Sequence, residues 1–221
     1  MAQEIEIKVR VSNSKALMRT LKRLGARPVG GGSGRVHELN VIFDTPEGGL
    51  AKHGQLLRIR TETPESKPKK SKPLSRQRTL LTFKRPPVER TSAAGGAQEN
   101  HHHKVREEIE VEVADASVLA KVFEGLGMRG WFRYEKYRTT FRLPAAAKWA
   151  KSLLIEMDET PIGTFVELEG PPAAIDRAAQ ELGYSRRDYV LKNYLVLYVE
   201  DCRRQGKEPK DMVFAAKKRS P

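Results

Sequence analysis

The chain has 221 residues, 38% of them hydrophobic and 31% charged, which suits one large domain or two small ones with a proper core. Lysine and arginine number 41 against 28 acidic residues, and the resulting formal charge of +13 favours anionic partners: phosphates, nucleotides, nucleic acid or an acidic membrane surface. The single cysteine, Cys202, excludes a disulfide framework within the chain and a cysteine-based zinc site. No apolar run approaches a membrane span and the N-terminus carries no secretory signal, so the expected location is the cytoplasm.

The first element is "EIEIKVRV", Glu4 to Val11. Its strict alternation predicts a β-strand with Glu4, Glu6, Lys8 and Arg10 on one face and Ile5, Ile7, Val9 and Val11 on the other. Ser14 to Leu24 has helical spacing, with Ser12 or Ser14 as cap and Gly25 as stop. "GGGSG" (Gly30 to Gly34) is a turn without the Gly-Lys-Ser/Thr of a phosphate loop. His37 to Arg60 predicts strand, turn and strand, with Arg58 and Arg60 sharing a face. Thr61 to Arg78, rich in Pro, Ser, Lys and Arg, predicts an exposed insertion. "LLTFKRP" resumes a strand in which Thr82 and Lys84 share a face. Val88 to His103 reads as a second loop, and its three terminal histidines read as solvated rather than metal-bound.

"VREEIEVEV" is a strand with Arg106, Glu108, Glu110 and Glu112 on one face and the odd Glu107 on the other. A helix from about Ser117 to Leu126 follows. Trp131 to Leu143 is a long strand with Lys136, Arg138 and Thr140 on one face. Leu153 to Gly170 is two strands around "TPIG", with Glu156 paired to Asp158 and Glu167 to Glu169. Helices are expected at Pro172 to Leu182 and from Asp188 to about Arg204. The sum is one antiparallel α+β domain of about eight strands with flanking helices, and no separating linker.

Charged faces on single strands are what a wetted sheet shows. Here they recur on nearly every strand, and the long basic residues come as Arg-x-Arg or Lys-x-Arg. Eight strands are enough to close into a barrel, which would enclose all these faces. Carboxylates and guanidinium groups enclosed together require water or an ionic ligand. A polyphosphate with Mg²⁺ or Mn²⁺ matches both signs.

The opening E-x-E-x-K at Glu4, Glu6 and Lys8 is followed in order by "FDTP", "LLRIR", "LTFK", "REEIEVEV", "EKYR" and "DETPIGTFVELEG". This ordered set resembles the CYTH family, the triphosphate tunnel metalloenzymes, over roughly residues 1–200, with 201–221 left as a basic tail. The resemblance implies a closed antiparallel β-barrel tunnel and chemistry on a triphosphate group. It implies metal-binding roles for Glu4, Glu6, Glu167 and Glu169, with Asp158 and Glu108 or Glu110 contributing. It implies triphosphate binding by Lys8, Arg58, Arg60, Lys84, Arg106, Lys136 and Arg138, with Lys8, Arg60 and Glu110 acting in catalysis. Arg10 continues the first strand's face. A C-terminal helix near the tunnel mouth matches "YVLKNYLVLY", where Lys192 and Tyr194 read as packing residues.

The family includes class IV adenylate cyclases and triphosphatases acting on inorganic tripolyphosphate, thiamine triphosphate or nucleotides. The resemblance to class IV cyclases makes ATP cyclisation the expected reaction and triphosphate hydrolysis its competitor. A non-catalytic polyphosphate or nucleotide binder is a third reading, against which the many carboxylates argue. Nucleic acid is not the expected partner, because the few aromatics form no stacking platform. The sequence leaves homodimerisation open.

Overall fold

The computed structural model describes residues 2–30, 32–65, 77–87 and 102–215. In chain order, β1 (Ala2–Val11) leads through α1 (Ser14–Arg23) and the short β2 (Arg27–Pro28) to β3 (Arg35–Asp44). A single-turn α2 (Gly49–Lys52) precedes β4 (Leu56–Pro64), followed by β5 (Arg78–Arg85) and β6 (Lys104–Val113). Then come α3 (Ala116–Gly125), β7 (Arg129–Arg142), β8 (Leu154–Thr160) and β9 (Gly163–Glu169). The described chain ends with α4 (Pro172–Glu181), β10 (Tyr189–Val190) and α5 (Tyr194–Arg204), after which residues 207–215 return to β7.

Eight of these strands form a closed antiparallel barrel in the order β1-β6-β5-β4-β3-β7-β8-β9, with β9 pairing back to β1. β1 is the seam. Its first half, Ala2 to Glu6, pairs with β6, and Glu6 to Val11 pairs with β9. Beyond Glu6 the edge left by β6 is taken up by β10, which pairs with Lys8 and Val9. The first half of β7 has an analogous gap before β8 begins. There Met212 donates to the Arg133 carbonyl and accepts from the Glu135 N–H, each at 2.9 Å.

The apolar core lies outside the barrel wall. Ile7, Val9 and Val11 of β1 join Ile155, Met157, Val166 and Leu168 of β8 and β9 beneath Leu17 and Leu21 of α1 and Ile175, Ala178 and Ala179 of α4. Phe43, Leu57 and Ile59 pack beneath Phe123 of α3. A third cluster closes the barrel end marked by the β8–β9 turn, where α5 brings Tyr194 and Leu197 against Phe132, Tyr134, Phe165 and Met212. The strand period of two explains the split: residues between the outward apolar positions point inward, and they are the charged ones.

Four expectations are corrected. The cap of α1 is Asn13, whose side chain accepts from the Ala16 N–H at 3.0 Å, rather than Ser12 or Ser14. The stretch read as an insertion from Thr61 begins later, because β4 runs to Pro64 and β5 begins at Arg78; residues 66–76 lie outside the described residues. The second loop ends at His103 as expected, with β6 starting at Lys104, and His102 is exposed, but His103 is not solvated: it is buried with Nε2 2.9 Å from Asp176 Oδ1. Residues 88–101, including the first histidine of the triplet, lie outside the described residues, as does the terminal "KKRSP". The last helix starts at Tyr194 rather than Asp188, since Tyr189 and Val190 pair with β1 and Asn193 caps the helix on the Val196 N–H. No described helix is long and apolar enough to cross a membrane.

With the core outside the wall, Ile175→Ala removes a fully buried contact between α4 and the barrel. It is expected to cost about 2–5 kcal/mol in denaturant unfolding. Lys15→Ala on the exposed face of α1 should change stability by less than about 0.5 kcal/mol in the same measurement.

Candidate functional site

The inward faces enclose a cavity of about 470 Å³. Nine carboxylates and eight basic side chains line it, and each of the eight barrel strands contributes at least one of them. β1 supplies Glu4, Glu6 and Lys8, all less than a tenth exposed. β4 supplies Arg58, Arg60 and Glu62; β5 supplies Lys84; β6 supplies Lys104, Glu108 and Glu110. β7 to β9 add Lys136, Arg138, Glu156, Glu167 and Glu169.

Two of the residues expected at the site lie off the lining. Asp158 is fully buried behind it, where its carboxylate accepts from Lys136 Nζ at 2.9 Å, Arg138 Nε at 2.7 Å and the Tyr194 hydroxyl at 2.7 Å. It buttresses two cavity cations rather than facing the cavity itself. Arg106 turns its guanidinium aside to the Gly54 carbonyl at 2.5 Å. Arg10 also leaves the site: it is exposed, lies over the Phe165 ring and donates to the Ile162 carbonyl at 3.0 Å. Lys192 is a surface residue paired with Glu200 at 2.6 Å, whereas Tyr194 lines the cavity.

The charges are distributed by register. Glu6 stands directly opposite Glu169 across β1 and β9, and Glu156 opposite Glu167 across β8 and β9. Like charges at opposed positions repel, so these pairs need cations between or beside them. Protein cations serve some. Arg138 joins Glu156, Asp158 and Glu167, and Lys8 joins Glu167. Lys84 meets Glu4 at 2.6 Å and Glu108 at 3.3 Å, and Lys104 meets Glu6 at 2.5 Å.

The acidities follow. Burial pushes the Glu4, Glu6, Glu156 and Glu167 carboxyls up, but Lys8, Arg138 and Lys136 hold Glu167 well below the usual range. Arg60, Lys136 and Arg138 do the same for Glu38. Glu6 is lowered because Lys104, Lys8 and Lys84 outweigh burial and Glu167. Glu4 and Glu156 are raised, first by burial and then by neighbouring carboxylates that their cationic partners do not cancel. Glu169 is pushed up to about 7 by burial, Glu156 and Glu4, and no described cation bonds it.

Among the described residues no three acidic, histidine or cysteine side chains converge as a ready-made metal cage. The donor chemistry nevertheless fits a hard divalent cation. The acidic lining is all carboxylate oxygen, and Glu4, Glu156 and Glu169 are each raised by burial and by neighbouring carboxylates, Glu169 by Glu156 and Glu4 themselves, so that they favour positive charge. These three, with Glu6 and Glu167 opposite them, are the residues able to hold it.

Several lining or supporting residues were not singled out from sequence. Glu38 is 1% exposed and lies 3.4 Å from Arg60 and 3.5 Å from Lys136, while Asn40 accepts from Arg60 Nε at 3.1 Å. Their signal was present, since Glu38 and Asn40 alternate with Leu39 and Val41 in "HELNV". Glu62 and Arg78 pair at 2.7 Å inside what reads as an insertion, and Lys104 lies between the second loop and the strand "VREEIEVEV". Tyr134 shares the period-two face of Lys136 and Arg138. Glu156 was noted as half of an acidic pair but left out of the metal set.

The chain is similar to a Methanocaldococcus jannaschii protein provisionally named an adenylate cyclase, with 23% identity over 205 residues, 88% of this chain and 97% of that protein. Its fold is shared with a Vibrio parahaemolyticus protein, also provisionally named an adenylate cyclase, at TM-score 0.62 and 18% identity over 86% of this chain and 94% of that one. It is shared too with a Hippeastrum protein, provisionally named an adenylyl cyclase and described as having a dominant triphosphatase activity, at TM-score 0.51 and 20% identity over 93% and 97% of the two chains. The CYTH domain matches residues 2–194, which takes in every strand that builds the charged tunnel. The chain therefore belongs to the CYTH domain family.

Proposed function

We propose that this protein is a divalent-metal-dependent enzyme acting on a small molecule that bears a triphosphate, with ATP cyclisation to cyclic AMP and pyrophosphate as its reaction. The observation that carries the reading is the opposed register of like-charged carboxylates beside a bank of lysines and arginines within one cavity. Such a lining meets phosphate oxygens with cations and leaves carboxylates for metal. The name of the Methanocaldococcus relative supports the cyclase form.

In this reading Lys8, Arg58, Arg60, Lys84, Lys136 and Arg138 bind the phosphate oxygens, and Asp158 holds Lys136 and Arg138 in place. Mg²⁺ or Mn²⁺ held by Glu4, Glu6, Glu156, Glu167 and Glu169 would neutralise phosphate charge and raise the acidity of the attacking oxygen. Glu110, which accepts from Thr82 Oγ1 at 3.0 Å, takes the proton of that oxygen in this reading. In cyclisation the ribose 3′-oxygen attacks the α-phosphorus and pyrophosphate leaves. Triphosphate hydrolysis is the second reading, with water attacking the terminal phosphorus. It is favoured by charge contributed from all eight strands, which grips the triphosphate whatever carries it. Arg106 acts at the periphery, through the loop at Gly54. Either reaction suits a cytoplasmic enzyme.

Product analysis with Mg²⁺ or Mn²⁺ separates the two reactions. Cyclic AMP and pyrophosphate from ATP are expected for the cyclase. Orthophosphate from inorganic tripolyphosphate with ATP untouched would replace that reading with the hydrolase, and no turnover of either would leave neither standing.

Glu169→Gln should lower turnover about a hundredfold or more. Its folded-state pKa of about 7 lies above its ordinary value of 4.5, so its contribution to stability is complete below about pH 4.5 and is lost as pH rises through about 7. Thermal unfolding of chelator-treated protein should show that loss in the wild type and a smaller one in the variant.

A further inference from the structure

Three buried donors on adjacent strands have no acceptor. Arg58 Nε on β4 and Asn40 Nδ2 on β3 are both without a hydrogen-bond partner. The Tyr134 hydroxyl on β7 accepts from Arg58 Nη1 at 3.1 Å, and among the described residues its own proton meets no acceptor. All three residues are at least nine-tenths buried. They are neighbours by register: Asn40 pairs directly with Tyr134 across β3 and β7, and with Arg60 across β3 and β4. Asn40 is oriented by Arg60, whose Nε donates to Oδ1 and so leaves Nδ2 facing away.

Arg58 is also the cavity guanidinium whose charge the protein does not offset by contact. Its other nitrogens bond Tyr134 and Thr82 Oγ1, both neutral, and it forms no ion pair with any described carboxylate. Arg60 and Arg138, by contrast, are each held by carboxylates. A buried donor without a partner is costly, and three side by side with one uncompensated positive charge are costlier still. An anion with several acceptor oxygens relieves all of them at once.

We propose that Tyr134, Asn40 and Arg58 form a seat for one phosphoryl group at the end of the cavity closed by α5. Tyr134 and Arg58 both line the cavity, Asn40 lies fully buried in the wall paired with Tyr134, and Tyr134 packs on Tyr194 of α5 with ring centroids 6.4 Å apart. A terminal phosphate seated there fixes how far the triphosphate slides into the barrel. The seat thereby sets which phosphorus lies beside the carboxylates of β1, β8 and β9. The inference rests on the triphosphate reading and adds Tyr134 and Asn40 as residues that determine register along the phosphate chain.

The test is calorimetric binding of inorganic tripolyphosphate with Mg²⁺. Tyr134→Phe keeps the ring against Phe132, with centroids 5.8 Å apart, and removes only the hydroxyl. It should weaken binding about ten- to a hundredfold, the worth of a hydrogen bond to a charged group. Asn40→Asp retains the acceptor for Arg60 and places a negative charge where the seat donates; it should weaken tripolyphosphate binding further still. Mg²⁺ binding without phosphate should change less than twofold for Tyr134→Phe, which a general loss of structure would not allow. Wild-type protein that ignores tripolyphosphate would overturn the triphosphate reading and the seat with it. Wild-type binding matched within twofold by both variants would overturn the seat alone.

Discussion

The structure depends on keeping opposite charges in contact inside a closed wall. An isolated ion moved from water into a protein interior costs several kcal/mol even after relaxation, so a barrel filled with carboxylates and cations stands only if most of them neutralise one another. Arg138 shows how this is done. One guanidinium on β7 touches Glu156, Asp158 and Glu167, and lies 3.6 Å from Glu38, tying four strands together from the inside. The interior supplies geometry, while cohesion comes from elsewhere.

That cohesion is the apolar layer outside the wall. The same alternation that sends Glu4, Glu6 and Lys8 inward sends Ile7, Val9 and Val11 outward, where α1 and α4 cover them. The usual arrangement of a small barrel, with side chains filling the middle, is inverted. This division lets the cavity keep unmatched groups, such as Arg58 and Glu169, because stability does not rest on the cavity being perfectly satisfied.

The period-two pattern made most of this legible from sequence. Strand faces such as Glu167/Glu169 and Lys136/Arg138 could be read directly, and their recurrence pointed to a closed barrel. What escaped has identifiable causes. Composition hid Glu62 and Arg78, because the Pro- and Lys-rich stretch between them masked strand ends that carry too few residues to show a period. Depth hid the roles of Asp158 and Arg106: alternation assigns a face but not whether a side chain reaches the cavity, lies behind its lining or turns to a loop. Glu38 and Asn40 were visible as alternating polar residues, yet a glutamate and an asparagine form no repeated motif. The start of α5 escaped because the apolar run from Tyr189 serves first as a strand and only then as a helix.

The seam formed by β1 also governs when the molecule comes into being. Lys8 meets Glu167 across 159 positions of chain, and every pair along β1 and β9 spans a comparable distance. During synthesis the first strand must therefore wait until residues 164–169 have been made before its second partner exists. Contacts so far apart in sequence are slow to form, since loop closure is paid before they return anything. Until then Lys8 remains in water, where its charge costs nothing, while Glu4 and Glu6 can already meet Lys84 and Lys104. The ionic interior is thus enclosed at the last stage of assembly, from groups that stay hydrated until their partners arrive.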